Sequence, residues 1–392
     1  MKKKLLAFVM AAMMVGSVPV TASASSESLA PSGLSAEGLG GYKIGFFYMP
    51  TSDVLSQQFH NTLDFCASQT NCEMEYYDMT AWDSEAMSAA VETLVSNGCD
   101  GVIMVLGSSP ALYEYMEKND VHYVALTRSY TDELAKVVDG SEYNCGFVGD
   151  LGGNEGGNFK TGYDIAMVLA DEGCKSIALV GGSEGETMND ERIAGMKAAA
   201  EESGMEVVAE YRGGDFITGY ADILSSYGSE LDGIACSGGG DNGVAAIQAA
   251  GLTGQIKLVQ VDAPSGDTAA YLDAGMLTAT YAGASTYMVD AYMQLFNALS
   301  GADRLWNEGS RIVPMFNGFI VRTKDEYESA VQYTDGEVAG GLLPDEILSF
   351  CSLTGGDEMT VEERQALVES YQSPDYWNIE NISARVGAYL EQ

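Results

Sequence analysis

From Tyr42 onward the chain switches repeatedly between two hydrophobic rhythms. "YKIGFFYM" (Tyr42–Met49) is a nearly unbroken apolar run of strand length, Asp53–Ala67 is helical, and "EMEYYD" (Glu73–Asp78) returns to a strand pattern. The next helix carries the clearest signal. Met87, Ala90, Val91, Leu94 and Val95 fall at i, i+3, i+4, i+7 and i+8, one apolar stripe. Ser84 is its expected N-cap and Gly98 its left-handed C-terminal residue. "GVIMVL" (Gly101–Leu106) and "HYVAL" (His122–Leu126) are strands on either side of a helix over Pro110–Lys118. The pattern restarts at "CGFV" (Cys145–Val148). Helices over Gly153–Glu172, Asp190–Ser203, Ile217–Tyr227 and Asp241–Ala250 then alternate with strands over Lys175–Val180, Glu206–Tyr211, Gly233–Cys236 and Lys257–Val261. Alternating strands and helices predict parallel, doubly wound sheets, and two such runs predict two α/β lobes. Asp335–Gln392 reads as short helices around Pro344, Thr360 and Tyr376, a C-terminal extension without a third sheet.

The N-terminal end has a different character. "MKKK" is basic, Leu5–Val18 is apolar, and "ASA" (Ala22–Ala24) offers a small-residue cleavage site, so residues 1–24 read as a secretory signal. The apolar run is too short to span a bilayer. Ser25–Gly41 is rich in Ser, Gly and Ala and is expected to be a flexible leader. No cysteine lies near the cleavage site, so a lipid-modified N-terminus is not supported. The seven cysteines show no metal-ligand spacing, although Cys66 and Cys72 are close enough in sequence to pair. A length of 392 residues agrees with two lobes. The net charge of −38 disfavours nucleic-acid and anionic-lipid partners and permits, without requiring, a cationic ligand.

Two glycine-rich turns resemble catalytic motifs. "GGSEG" (Gly181–Gly185) fits the G-x-S-x-G elbow, with Ser183 as nucleophile. Such a hydrolase needs a histidine after the serine in chain order. The chain has only His60 and His122, both before it, and Lys197 lies too far along the next helix. "GGGDNG" (Gly238–Gly243) fits G-x-G-x-x-G, with Asp262 about twenty residues on. It sits in a late βαβ unit rather than an opening one. Both are expected to be turns at strand ends, and no enzyme activity, cofactor or metal is expected.

The ordered set "ERIAGM" (Glu191–Met196), "DNGVAAIQAAG" (Asp241–Gly251) and "LVQVDAPSGDTAAYLDAGMLTATYAG" (Leu258–Gly283) resembles the type I periplasmic sugar-binding proteins, the ribose-binding-like class of ABC-transporter receptors. The resemblance covers about Tyr42–Arg322. It implies two lobes joined by three crossings, near Val148–Asp150 (Gly149 and Asp150), Ala282–Gly283 and Asn317–Gly318. The N-terminal lobe is then 42–148 plus 284–315, and the C-terminal lobe 149–283 plus 316–334, with the extension over 335–392. Ligand would lie in the cleft between them.

Strand C-terminal ends, where open α/β sheets bind ligands, supply the candidates. These are Met49, Ser52, Asp53, Arg128, Asp190, Ser237, Asp241 and Asp262, with Tyr48 and Trp82 as stacking faces. The resemblance matches Arg128 and Asp262 to family ligand positions. It places Asp190 where the family carries a ligand arginine, and Arg192 on a neighbouring arginine that is more often structural. Duller roles compete: Arg128 pairing with Asp132, and Asp262 or Asp190 capping a helix. The family's first-loop Asn and Phe pair, its Asn-Asp turn and its crossing glutamine are absent; Cys236–Gly238 and Gly283 stand at the last two. The expected function is capture of a small polar ligand (sugar, polyol or cationic amine) by an exported monomer in the periplasm or at the cell surface, for delivery to an ABC permease. A sensor of the same fold and a secreted enzyme are the alternatives.

Overall fold

The computed structural model describes residues 28–391 except 82, 108, 128–129, 150–156, 262–266, 305–310, 313–317, 335–338, 356–358 and 374–375. The expected signal (1–24), Trp82, Arg128, Asp150 and Asp262 lie outside the described residues. So does any pairing of Arg128 with Asp132.

Two six-stranded sheets form two α/β lobes. In sheet one, β1 (Lys43–Tyr48), β2 (Glu73–Asp78), β3 (Gly101–Val105), β4 (His122–Leu126), β5 (Asn144–Val148) and β11 (Arg311–Ile312) run in the order β11-β5-β4-β3-β1-β2. Sheet two has β6 (Ser176–Gly181), β7 (Glu206–Arg212), β8 (Gly233–Cys236), β9 (Lys257–Gln260), β10 (Ala279–Ala282) and β12 (Phe319–Val321). Their order is β12-β10-β9-β8-β6-β7. Every neighbouring pair is parallel except β10 with β12. The chain therefore passes from sheet one to sheet two after β5, returns after β10, and passes again between β11 and β12.

Apolar strands need cover on both faces, and helices supply it. On sheet one, α2 (Ser84–Ser96), α3 (Pro110–Lys118) and α4 (Asp132–Val138) pack on one face, and α1 (Val54–Thr70) and α10 (Tyr287–Ser300) on the other. On sheet two, α5 (Gly157–Asp171) and α6 (Thr187–Ser203) cover one face. The other is covered by α7 (Phe216–Tyr227), α8 (Gly240–Ala249), α9 (Thr268–Asp273) and α11 (Lys324–Tyr333). Helix starts follow local capping chemistry rather than the apolar stripe alone. Asp83, not Ser84, caps α2 through a bond from the Ala86 amide. Helix α6 begins at Thr187, so Asp190 sits within its first turn and is not its cap.

The last segment forms α12 (Pro344–Leu348), α13 (Val361–Gln372) and α14 (Ile379–Leu390). It is part of the core of lobe one. Ile347, Phe350, Val368, Tyr371, Ile382 and Val386 share one apolar cluster with Phe46, Val124 and the inner face of α10. Residues 28–41, expected as a flexible leader, dock on this extension. The Ser35 amide donates to the Thr354 carbonyl at 3.0 Å, the Gly33 amide donates to Asp345 Oδ2 at 3.0 Å, and Ala36 is buried. All seven cysteines are free thiols, Cys66 and Cys72 included. No helix among the described residues is long and apolar enough to cross a membrane.

A buried ion pair locks α12 to α14. Arg385 Nη1 lies 2.6 Å from Glu346 Oε2, with both side chains fully buried. The remaining groups are satisfied. Tyr376 donates its hydroxyl to Glu346 Oε1 (2.7 Å), Arg385 Nε donates to Asn381 Oδ1 (2.9 Å), and Arg385 Nη2 donates to the Gly341 carbonyl (3.1 Å). The guanidinium also sits 4.3 Å over the Tyr376 ring. Removing one partner strands a buried charge, which typically costs about 3–5 kcal/mol. Glu346→Ala is therefore expected to lower unfolding free energy by about that amount in urea titrations; a loss under about 1 kcal/mol would show that water reaches the pair.

Candidate functional site

The C-terminal ends of the two sheets face one another across a cavity of about 220 Å³. Lobe one contributes Tyr48 from the end of β1, Leu55, Gln58 and Phe59 from the first turns of α1, and Val105, Leu106, Leu126 and Thr127 from the ends of β3 and β4. Across from them stand Met188 and Arg192 of α6, Val261 after β9, and Tyr281 and Ala282 of β10; Gly283 of the second crossing and Tyr287 and Met288 at the start of α10 complete the lining. Drug-sized pockets measure roughly 300–1,000 Å³, so this one suits a single small ring.

The backbone at the strand ends is unusual. Leu106 and Thr127 have φ of 53° and 48°, left-handed values rare for side chains with a Cβ, and rarer still for a β-branched one. Ladder bonds hold both in place: Leu106 N donates to the Leu126 carbonyl (3.0 Å) and Thr127 N to the Val148 carbonyl (2.9 Å). Strain of this kind concentrates at binding sites, where surrounding structure over-determines it.

Aromatic packing fixes the walls. Tyr48 lies edge-on to Phe59 at 5.2 Å and stacked on Phe46 at 6.2 Å. Burial, and then Tyr287, raises the Tyr281 pKa well above the usual phenol range, and burial raises that of Tyr287. Both hydroxyls stay protonated at neutral pH and so have a proton to donate. Arg192 Nη1 donates to the Ser237 carbonyl at 3.3 Å. Ser237 is buried, and its hydroxyl donates to Asn189 Oδ1 at 2.7 Å. Ser237 thus orients the arginine rather than lining the cavity.

The arginine's position also depends on a close helix crossing. A Cβ on Gly162 of α5 would fall 2.0 Å from the Arg192 carbonyl, and one on Gly195 of α6 would fall 2.0 Å from the Phe159 carbonyl. Only glycine lets α5 and α6 approach this far, which sets the first turns of α6 against the cleft.

The other described sequence candidates are not among the residues lining the cavity. Asp53 is exposed and caps α1 through the Ser56 amide (2.9 Å), and the Met49 carbonyl accepts the Ser56 hydroxyl (2.5 Å). Ser52 and Asp241 are exposed, Asp241 in the first turn of α8. Asp190 is drawn away to Arg212 Nη2 (2.5 Å) and accepts the Gly185 amide (3.1 Å). What strand-end reasoning missed is the helix face behind each loop. Leu55, Gln58 and Phe59 are spaced i, i+3, i+4, and Met188 and Arg192 are spaced i, i+4, so each set shares one face. That periodicity was the available signal, and it required the correct start of α6.

Both glycine motifs have packing explanations. In "GGSEG" a Cβ on Gly182 would meet the Asn189 side chain at 2.5 Å, and Gly185 has φ 89°. Lys197 is paired with Glu210 at 2.6 Å, and both histidines belong to lobe one, His60 stacked on Tyr76 and His122 against Tyr143. In "GGGDNG" a Cβ on Gly239 would meet Phe216, one on Gly240 Gln260, and one on Gly243 Tyr220. These glycines make room for the protein's own side chains. Among the described residues no group of three His, Cys, Asp or Glu could hold a metal ion.

The model of the periplasmic binding protein domain family matches residues 44–303. The chain belongs to that family, of the type I architecture. A search of curated proteins found no match. Among solved structures it is similar to a periplasmic ribose ABC transporter protein from Conexibacter woesei, at 20% identity over 76% of this chain and 97% of that one, with a TM-score of 0.58. An ABC transporter solute-binding protein from Actinobacillus succinogenes with bound D-allose is 18% identical over 73% and 99%, with a TM-score of 0.59. The arabinose ABC transporter binding component from Shewanella sp. ANA-3 is 18% identical over 74% and 96%, with a TM-score of 0.59.

Gly162→Ala is expected to push α6 away from α5 and to cost about 1–3 kcal/mol as overpacking. It should displace Arg192 from the Ser237 carbonyl as well. Chemical denaturation reads the first effect and a crystal structure of the variant the second; an unshifted α6 would refute the positioning role.

Proposed function

We propose that the chain is an extracytoplasmic receptor that captures a small sugar or polyol in the interlobe cavity and delivers it to an ABC importer, without chemical turnover and acting as a monomer. The observation that carries this reading is the composition of the cavity. The aromatic rings of Tyr48, Phe59, Tyr281 and Tyr287 surround a small space into which Gln58, Thr127 and Arg192 bring hydrogen-bonding groups. A sugar ring has apolar C–H faces and hydroxyl edges, and this lining offers a partner to each.

The described lining contains one cation and no carboxylate, which favours a neutral hydroxylated ligand over a cationic amine. The similar structures named for ribose, D-allose and arabinose support the same class. Arg128 and Asp262 join the proposed site through the family resemblance, and residues 1–24 supply the proposed export signal. Rotation between the lobes falls on the crossings at Gly149, Gly283 and Gly318. Gly283 has φ 77°, and a Cβ on Gly318 would fall 2.3 Å from the Ala282 carbonyl.

A thermal-shift panel of pentoses, hexoses, polyols and polyamines tests the reading. Ligand that binds only the native state raises the melting temperature with concentration. One or more sugars or polyols should do so. Arg192→Ala, by removing a charged hydrogen bond worth about 1.5–3 kcal/mol, should weaken affinity by roughly 10- to 100-fold. Stabilisation by polyamines alone, or an Arg192→Ala protein that binds unchanged, would sink the assignment.

A further inference from the structure

The C-terminal extension touches both lobes and the passages between them. On the lobe-one side, Ile347, Phe350, Ile382 and Val386 are part of the core around α10, and Asn297 Nδ2 of α10 donates to the Phe350 carbonyl at 3.0 Å. On the lobe-two side, α14 packs along α11, whose Tyr327 and Ala330 are core residues of sheet two, and Ile379 packs on that same core. Between the two, Trp377 meets Phe319 of β12 edge-to-face at 6.2 Å and 69°. Phe319 in turn faces Gly283 of the second crossing, where a Cβ would lie 3.0 Å from its ring. The Ser285 hydroxyl, two residues further on, donates to the Thr334 carbonyl at 3.2 Å, and the Gly340 amide donates to the same carbonyl at 3.0 Å.

We propose that residues 339–391 are a brace across the hinge, which fixes the angle between the lobes through the Trp377–Phe319 contact, the packing of Ile379 on the lobe-two core and the Gly340 amide on the Thr334 carbonyl. The brace is stiff because the Glu346–Arg385 pair and its hydrogen bonds join α12 to α14 without leaving a charge unsatisfied. Bonds to both lobes and to the crossing cannot all survive a large rotation. Each interlobe angle therefore either keeps or breaks them, and their free energy biases the distribution of angles. The similar solved structures are covered over 96–99% of their own length while covering 73–76% of this chain, so a large part of this chain lies outside that shared fold. The inference is independent of what the cavity binds.

The test uses the full chain, without ligand. Spin labels at Glu92→Cys on α2 and Glu201→Cys on α6, both exposed, in a Cys72→Ser background report the interlobe distance by pulsed electron resonance; the other six thiols are buried. The parent protein should give one narrow distribution. Trp377→Ala and Phe319→Ala should each widen it about twofold, the double variant no more than either alone, and Trp377→Phe should restore it. Ile379→Ala trims only the packing of α14 on the lobe-two core and should widen it less, which keeps the test decisive if the tryptophan variant folds poorly. Distributions that superimpose on the parent for Trp377→Ala and Ile379→Ala, whatever happens to melting temperature, would overturn the brace and leave the extension a stabiliser of lobe one.

Discussion

Helix α10 has no solvent face. Its residues from Met288 to Asn297 are all buried, and a helix that is apolar around its circumference must be enclosed on every side. Sheet one covers one side; α1 and the C-terminal extension cover the rest. Three of its polar side chains are tied to the surrounding cover by hydrogen bonds. Gln294 Nε2 donates to the Cys145 carbonyl (2.9 Å), Asn297 to the Phe350 carbonyl, and the Tyr292 hydroxyl bonds Thr70 Oγ1 at 2.6 Å. Because α10 begins directly after the second crossing, with Tyr287 in the cavity wall, enclosing this helix also fixes one side of the binding space.

The opposite wall is set by a different device. Glycines at a helix crossing draw α6 towards α5, and Ser237 holds the guanidinium of Arg192 at the cleft. Leu106 and Thr127 sit in strained backbone that only an intact ladder maintains. The cavity is thus pre-organised by cores and ladders on both sides, while the chain passes between the lobes after β5, after β10, between β11 and β12, and again between α11 and α12. Pre-organised walls are what the proposed capture requires.

The architecture was legible because its signals are local. Buried strands such as Gly101–Val105 and the stripe Met87, Ala90, Val91 and Leu94 announce themselves within a few residues. The site was harder to read because its members come from helix faces reached only through tertiary packing. Asp190 has the chemistry of a ligand residue, yet Arg212, on a neighbouring strand, takes it. Arg192, two positions on, looks structural in sequence and lines the cavity. Its prominence depends on where α6 starts, and that start has no side-chain cap to mark it. The extension was visible as helices, but nothing in their pattern says which lobe they complete.

The route of the chain has a consequence for the order of assembly. Sheet two is continuous from β6 to β10, interrupted only by its own helices, and awaits only the short antiparallel edge β12. Lobe one, although five of its six strands emerge first, exposes the outer side of α10 until α12–α14 follow. The half that is begun first is therefore finished last, and α10 carries an uncovered apolar side from residues 287–300 until α12–α14 follow at residues 344–390, a natural point for chaperone attention.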